Sequence, residues 1–323
     1  MSIRPLTATA TTAGALLGMS ALFLTVAPTA SAAERAAAPT RPGQAPAVGA
    51  AAPAAPASHR PALPVGHRGA SAYAPENTLA AVDKARQLGI EWVENDVQRT
   101  KDGELIVMHD TTLSRTTDVE QRFPDRAPWK IADFTAKEIK SLDAGSWFGK
   151  EFEGERVPTL DEYLSRLNRN RQELLLELKS PDLYPGIERQ TLDTLSRKGW
   201  LNRHHTKNKL IIQSFDAKAV EKVHQDRPDV KTGFLGTPKV SELKSYAKFA
   251  DQINPAYGDV SKEYVDAAHD VRGPHHRRLE VFTWTVNDAE TAKKVAGAGV
   301  DGIISNKPDV VRDAVKGAAA PTS

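Results

Sequence analysis

No cysteine occurs anywhere in the 323 residues. That excludes disulfides and thiolate metal sites, so the fold must rest on its apolar core and any metal must be held by oxygen or nitrogen. Excess charge is missing too: 43 Lys and Arg face 41 Asp and Glu, for a net charge of +2. A nucleic-acid binder would need a clustered basic face, so a small-molecule partner is expected and nucleic acid is not. Long apolar runs are absent after the first 32 residues, and nothing beyond them is apolar enough to cross a bilayer.

What is present begins with a leader. Arg4 supplies a positive start, Ala13 to Ala27 is mostly apolar, and Ala30-Ser31-Ala32 provides small residues before a cut. This is the pattern of a secretory signal peptide over residues 1–32, cleaved near Ala32, and it predicts a secreted, extracellular protein. A membrane anchor is the alternative, but the run is short and no basic stop-transfer cluster follows. Residues 33–62 are dominated by Ala and Pro, a composition that cannot bury a core and reads as an extended linker. The folded domain is expected over residues 63–316, with 317–323 as a flexible tail.

Within that domain strand and helix patterns alternate. Strands are expected at Leu63–His67, Glu91–Arg99, Glu173–Leu178, Leu210–Gln213, Lys231–Phe234, Gln252–Asn254, Leu279–Trp284 and Gly302–Ile304. Helices are expected at Asn77–Gln87, Thr159–Arg166, Leu183–Lys198, Ala217–Arg227, Ser241–Phe249, Lys262–His269, Ala289–Gly297 and Val310–Lys316. Eight strand–helix units over about 250 residues predict an α/β protein, a (β/α)8 TIM barrel; a doubly wound sheet is the competing arrangement. One interval breaks the rhythm. Asp102-Gly103 signals a hairpin, Glu104–Met108 a returning strand, and residues 111–158 an insertion after the second strand. Its aromatics Trp129, Trp147, Phe148 and Phe152 would line a substrate mouth or pack a small core of their own.

The chain is organised around His67 to Asp110. Two histidines, His67 and His109, bracket Arg68, Glu76 and the pair Glu94 and Asp96. Residues two apart on a strand share a face, so Glu94 and Asp96 point the same way, as do Glu177 and Lys179 further on. Carboxylates at that spacing repel unless a proton or a cation lies between them. Oxygen donors favour a hard divalent ion. Two histidines and an arginine beside such a site suit acid/base work on a phosphate ester.

At these residues the chain closely resembles the glycerophosphodiester phosphodiesterase family. The matching pieces are His67-Arg68-Gly69, Pro75-Glu76-Asn77-Thr78, Glu94-Asn95-Asp96-Val97, the turn Thr100 to Gly103, His109-Asp110 and Leu113-Ser114-Arg115-Thr116-Thr117. They continue through Val157 to Leu160, Glu177-Leu178-Lys179, Gln213-Ser214-Phe215, Trp284 to Asn287, and Gly299 to Pro308. The resemblance implies a TIM barrel that hydrolyses glycerophosphodiesters to glycerol 3-phosphate and an alcohol with a divalent metal. It implies His67 and His109 as the catalytic pair, Glu94, Asp96 and Glu177 as metal ligands, and Arg68 and Lys179 as phosphate contacts. For an exported enzyme Ca²⁺ is favoured, with Mg²⁺ as the second choice. Asn95 departs from the usual apolar residue; it is expected to face the helices, where it needs a hydrogen-bond partner.

Other residues carry weaker expectations. Glu76 is read as a contact to substrate glycerol or a structural loop residue, and Trp284 as a stacking surface or core. Asn77 or Thr78 should cap the first helix. The remaining folded-region histidines, 204, 205, 224, 269, 275 and 276, and the run His275 to Arg278 are read as solvated. A lysophospholipase D or phospholipase C-like enzyme acting on lipid phosphodiesters is the alternative activity, and only that would bring membrane contact. A barrel that binds phosphodiesters without turnover should have lost part of the histidine and carboxylate set. A glycoside hydrolase would leave Arg68 and Lys179 unexplained.

Overall fold

A computed structural model describes residues 61–318. The expected leader, almost all of the linker and most of the tail lie outside the described residues. Eight parallel strands close into a barrel: β1 (Leu63–Gly66), β2 (Trp92–Arg99), β4 (Glu173–Leu178), β5 (Leu210–Ser214), β6 (Lys231–Leu235), β7 (Gln252–Asn254), β8 (Glu280–Thr283) and β9 (Gly302–Ser305). Strand β1 shuts the ring by pairing with both neighbours, Val65 with Trp92 of β2 and Leu63 with Gly302 of β9. The expected TIM barrel is the fold, and the doubly wound alternative falls away.

Period-two alternation explains the barrel wall. On β2 and β4, Val93, Val97, Leu174, Leu176 and Leu178 face outward into a core shared with the helices. The opposite parity faces inward: Val65, Trp92, Leu175, Ile211, Phe282 and Ile304 form an apolar plug. Further along the same strands this inward row turns polar, at Glu94 and Asp96 on β2 and Glu177 on β4. The change falls toward the C-terminal ends of the strands, the end at which barrels carry their chemistry.

Helices α1 (Leu79–Gln87), α4 (Leu160–Asn170), α5 (Ile187–Arg197), α7 (Ala217–Asp226), α9 (Lys262–His269), α10 (Ala289–Gly297) and α11 (Pro308–Ala318) form the outer layer. Thr78 caps α1 by accepting from Ala81 N, so that helix starts two residues later than expected and Asn77 stays outside it. The run Leu183–Lys198 starts late because Pro181–Leu183 is a 3-10 turn and α5 begins only after Gly186. Ser241–Phe249 yields one α-helical turn, α8 (Leu243–Tyr246). An unexpected short helix, α6 (Arg203–Asn208), lies before β5 with Asn202 as its cap.

Ahead of the insertion β3 (Leu105–Val107) returns antiparallel on β2, as the hairpin signal predicts, and leads into it. The insertion continues through short helices α2 (Val119–Arg122) and α3 (Ala136–Ser141) around its own core of Leu113, Val119, Ile131, Phe134, Ile139 and Leu142. Trp129 packs on that core, and its indole donates to Phe123 O at 2.8 Å. Trp147, Phe148 and Phe152 stack edge to face on one another, with centroids 5.6 and 5.5 Å apart. Asn95 faces the helices as expected, but neither side-chain atom finds a partner among the described residues.

Candidate active site

Strand register assembles the carboxylates. Asp96 on β2 lies directly beside Glu177 on β4, with Glu94 one inward position below. All three are buried, and one oxygen from each lies within 4.8 Å of the others. Part of each pair is fixed by the protein. Glu94 Oε2 accepts from the backbone N–H of Arg68 at 2.9 Å, and Asp96 Oδ2 accepts from Asn77 Nδ2 at 2.8 Å. Asn77 can reach down because it holds a left-handed φ of 59°, which Asn tolerates better than most residues. Glu177 Oε1 is paired with the Lys179 ammonium at 3.0 Å.

Crowding of like charge in a dry site has the expected effect. Burial first, then Asp96, pushes Glu177 up to about 8, against the pull of Lys179 and Arg68. Burial, Asp96 and Glu177 push Glu94 well above the ordinary carboxylate range. Only oxygen donors converge here, and the positive charge beside them is too little for the cluster to ionise comfortably. Those features fit a hard divalent cation.

Around the cluster stand the groups that could handle a phosphate. Arg68 Nη1 donates to Glu76 Oε1 at 2.8 Å, while its buried Nε, 3.5 Å from Asp96, makes no hydrogen bond. Burial opposes the charge of Arg68, but Asp96, Glu76 and Glu94 outweigh it and raise its pKa. Lys179, just past the end of β4, is likewise held charged against burial by Glu177 and Asp96.

The two histidines have different partners. His67 Nδ1 lies 2.6 Å from the side-chain oxygen of Asn306, which also accepts from Ser71 Oγ. An amide oxygen can only accept, so His67 carries its proton on Nδ1 and leaves Nε2 free as a base. Desolvation, then the Arg68 cation, lowers its pKa to about 4. His109 Nδ1 instead lies 2.7 Å from the Asp110 carboxylate. Both rings are half-buried and line one pocket together with Arg68, Glu94, Glu177 and Lys179. Phe215, Leu235, Trp284 and Ile304 form the apolar side of that pocket. Trp284 donates to Asn254 O at 2.9 Å and meets Phe215 edge to face at 5.5 Å.

Thus the pocket brings together His67, His109, Arg68, Lys179, Trp284, Glu94 and Glu177, and Asp96 joins through the carboxylate cluster. Glu76 is not among its lining residues; it reaches the site through Arg68. The aromatics of the insertion do not line this pocket, which uses Phe215 and Trp284 instead. Asn77, Asn306, Asp110 and Arg115 escaped assignment from sequence. Of the residues read as solvated, His204, His276, Arg277 and Arg278 are exposed as expected, while His224, His269 and His275 need correction. His269 pairs with Asp301 at 2.9 Å and His275 with Asp251 at 2.8 Å, while His224 keeps a buried Nδ1. In the run His275 to Arg278, Arg278 pairs with Asp301 at 2.5 Å. These contacts lie at the opposite end of the barrel.

Comparison with known proteins agrees with this geometry. Residues 67–310 match the Glycerophosphoryl diester phosphodiesterase family. A glycerophosphodiester phosphodiesterase of Bacillus subtilis is 35% identical over 272 residues, 79% of this chain and 87% of that protein. One from Caldanaerobacter subterraneus is 35% identical over 257 residues, 79% of this chain and 98% of that one. Among solved structures, an Oleispira antarctica phosphodiesterase in complex with the product sn-glycerol-3-phosphate superposes with a TM-score of 0.66. It is 29% identical and is covered over 96% of its length by 78% of this chain.

Proposed function

The chain belongs to the glycerophosphoryl diester phosphodiesterase family and is a glycerophosphodiester phosphodiesterase; from that premise we propose how its site works. Glu94, Asp96 and Glu177 would hold a divalent cation, with Ca²⁺ favoured over Mg²⁺. When bound, that cation supplies Lewis-acid polarisation of a phosphoryl oxygen. Arg68 and Lys179 orient the phosphate and share its developing charge. Trp284 offers a face for the carbon skeleton of the substrate.

The observation that carries the assignment of roles is the unlike pair of histidine partners. His67, bonded to an amide and held neutral, is the base. It takes a proton from the glycerol 2-hydroxyl, which attacks the adjacent phosphorus. His109, whose ring is oriented by a carboxylate that balances a positive charge on it, protonates the departing alcohol. The attack is intramolecular and so gains effective concentration. It yields a cyclic 1,2-phosphate, which water opens to glycerol 3-phosphate as the two histidines exchange roles.

Residues 1–32 are proposed to direct export, leaving the Ala/Pro-rich 33–62 segment ahead of the catalytic domain. The charge pattern at Arg4, the apolar run and Ala30-Ser31-Ala32 support this reading. Mass spectrometry of material from the culture medium should find a start near Ala33; an intact leader would contradict it.

The chemistry is tested with a glycerophosphodiester and its 2-deoxy analogue, before and after chelation. The parent should release glycerol 3-phosphate, stop in chelator and resume with Ca²⁺. The analogue should bind and hardly react. Fast hydrolysis of the analogue would show direct attack by water, and full activity in excess chelator would remove the cation from the account.

A further inference from the structure

Arg115 lies in the insertion, outside the pocket, yet its guanidinium touches two carboxylates that partner residues lining it. On one side Nε donates to Asp110 Oδ2 at 2.6 Å and Nη2 to Asp110 Oδ1 at 3.1 Å. On the other, Nη1 and Nη2 donate to Glu76 at 2.8 and 2.7 Å. Asp110 receives His109 and Glu76 receives Arg68, so one planar fork ties the proposed acid to the proposed phosphate contact. Lysine could not span both carboxylates in this way, because it offers a point charge and no plane.

The backbone beneath Arg115 is fixed by the core of the insertion. Leu113 is fully buried, its N–H donates to Trp129 O at 3.0 Å, and its carbonyl accepts from Thr117 Oγ1 at 2.6 Å. Thr116 and Thr117 are buried as well. The insertion therefore serves as the base on which Arg115 is mounted.

We propose that Arg115 is a positioning residue for the reaction, holding Asp110 so that His109 is set to protonate the leaving oxygen. The bidentate hydrogen bond of Arg115 is also what chiefly lowers Asp110 to about 2, which keeps it a carboxylate at any working pH. The proposal rests on the reading of His109 as the acid.

Two substrates separate the possibilities, one with an alkyl alcohol and one with a nitrophenol as leaving group. Nitrophenolate departs without a proton, whereas an alkoxide needs one. Both substrates share the phosphate, so any loss through Glu76 and Arg68 cancels in their ratio. Read in the first turnover as release of the alcohol or phenol, before the ring-opening step that both substrates share, His109→Ala should slow the alkyl ester about 100-fold or more, with a much smaller loss on the aryl ester. Arg115→Met should show the same selectivity at about tenfold, and Arg115→Lys should fall between it and the parent. Asp110→Asn should follow Arg115→Met and replaces it if that variant does not fold. Equal losses on both substrates for Arg115→Met or Asp110→Asn, beside a selective His109→Ala, would overturn the positioning role alone. A non-selective His109→Ala would overturn the acid assignment and the positioning role with it.

Discussion

The two ends of the barrel treat their carboxylates differently. At the N-terminal end three carboxylates, Asp251 buried and Asp301 and Glu280 half-buried, have partners supplied by the fold. Asp251 accepts from Thr232 N and pairs with His275, Asp301 is held by His269, Arg278 and Val281 N, and Glu280 takes Lys231 and Gln252. At the C-terminal end Glu94, Asp96 and Glu177 crowd together, two of them pushed upward in pKa despite the Arg68 and Lys179 cations beside them. Both ends are made by the same strands and the same alternation. One is closed on itself and the other is open to a ligand, which is how stability and chemistry can be kept apart on one scaffold.

Variants can break that contrast. Glu177→Gln should reduce kcat/KM by about 10³-fold or more while making the chelated protein more stable, since it removes a charge the empty site tolerates poorly. Steady-state kinetics and thermal unfolding in chelator check both halves, and a loss of stability in chelator would contradict the picture. His67→Ala and His109→Ala should each lower turnover by about 10²–10⁴-fold, and the double variant should fall little further than either single one. Additive losses would mean that the histidines act independently.

The other end should respond in the reverse sense. Asp251→Ala leaves Thr232 N and His275 unpaired and should cost about 2–4 kcal/mol in chemical denaturation, with kcat/KM unchanged. The smallest effect belongs to neither end. Asn95→Val removes two buried unpartnered polar atoms from the helix-facing side of β2 and should stabilise the domain by about 1 kcal/mol. Kinetics that move with it would show that Asn95 is coupled to its inward-facing neighbours.

What could be read from sequence followed the range of the signal. Alternation with period two is local, so the shared faces of Glu94 with Asp96 and of Glu177 with Lys179 were visible, and with them the barrel. Contacts between distant residues were not. Asn306 meets His67 across 239 positions, and Arg115 reaches Glu76 across 39. Asn77 looked like a helix cap, and its left-handed backbone, which aims it at Asp96, leaves no mark in composition. His269 and His275 looked solvated because their aspartates come from other strand starts. The short helix α6 has no apolar period to betray it.

The central claim is that the open end is built for a cation, and thermal unfolding tests it most directly. A carboxyl whose folded pKa stands above its unfolded value binds more protons when folded, so stability falls as pH rises through the interval between the two. For Glu177 that interval runs from 4.5 to about 8. In chelator this site should therefore cost more stability at about pH 8 than at about pH 5, and Ca²⁺ should offset that cost. The stabilisation by Ca²⁺ should be small at the lower pH, large at the higher, and nearly absent in Glu177→Gln. Stabilisation that is equal at both pH values, or that survives in Glu177→Gln, would contradict the account.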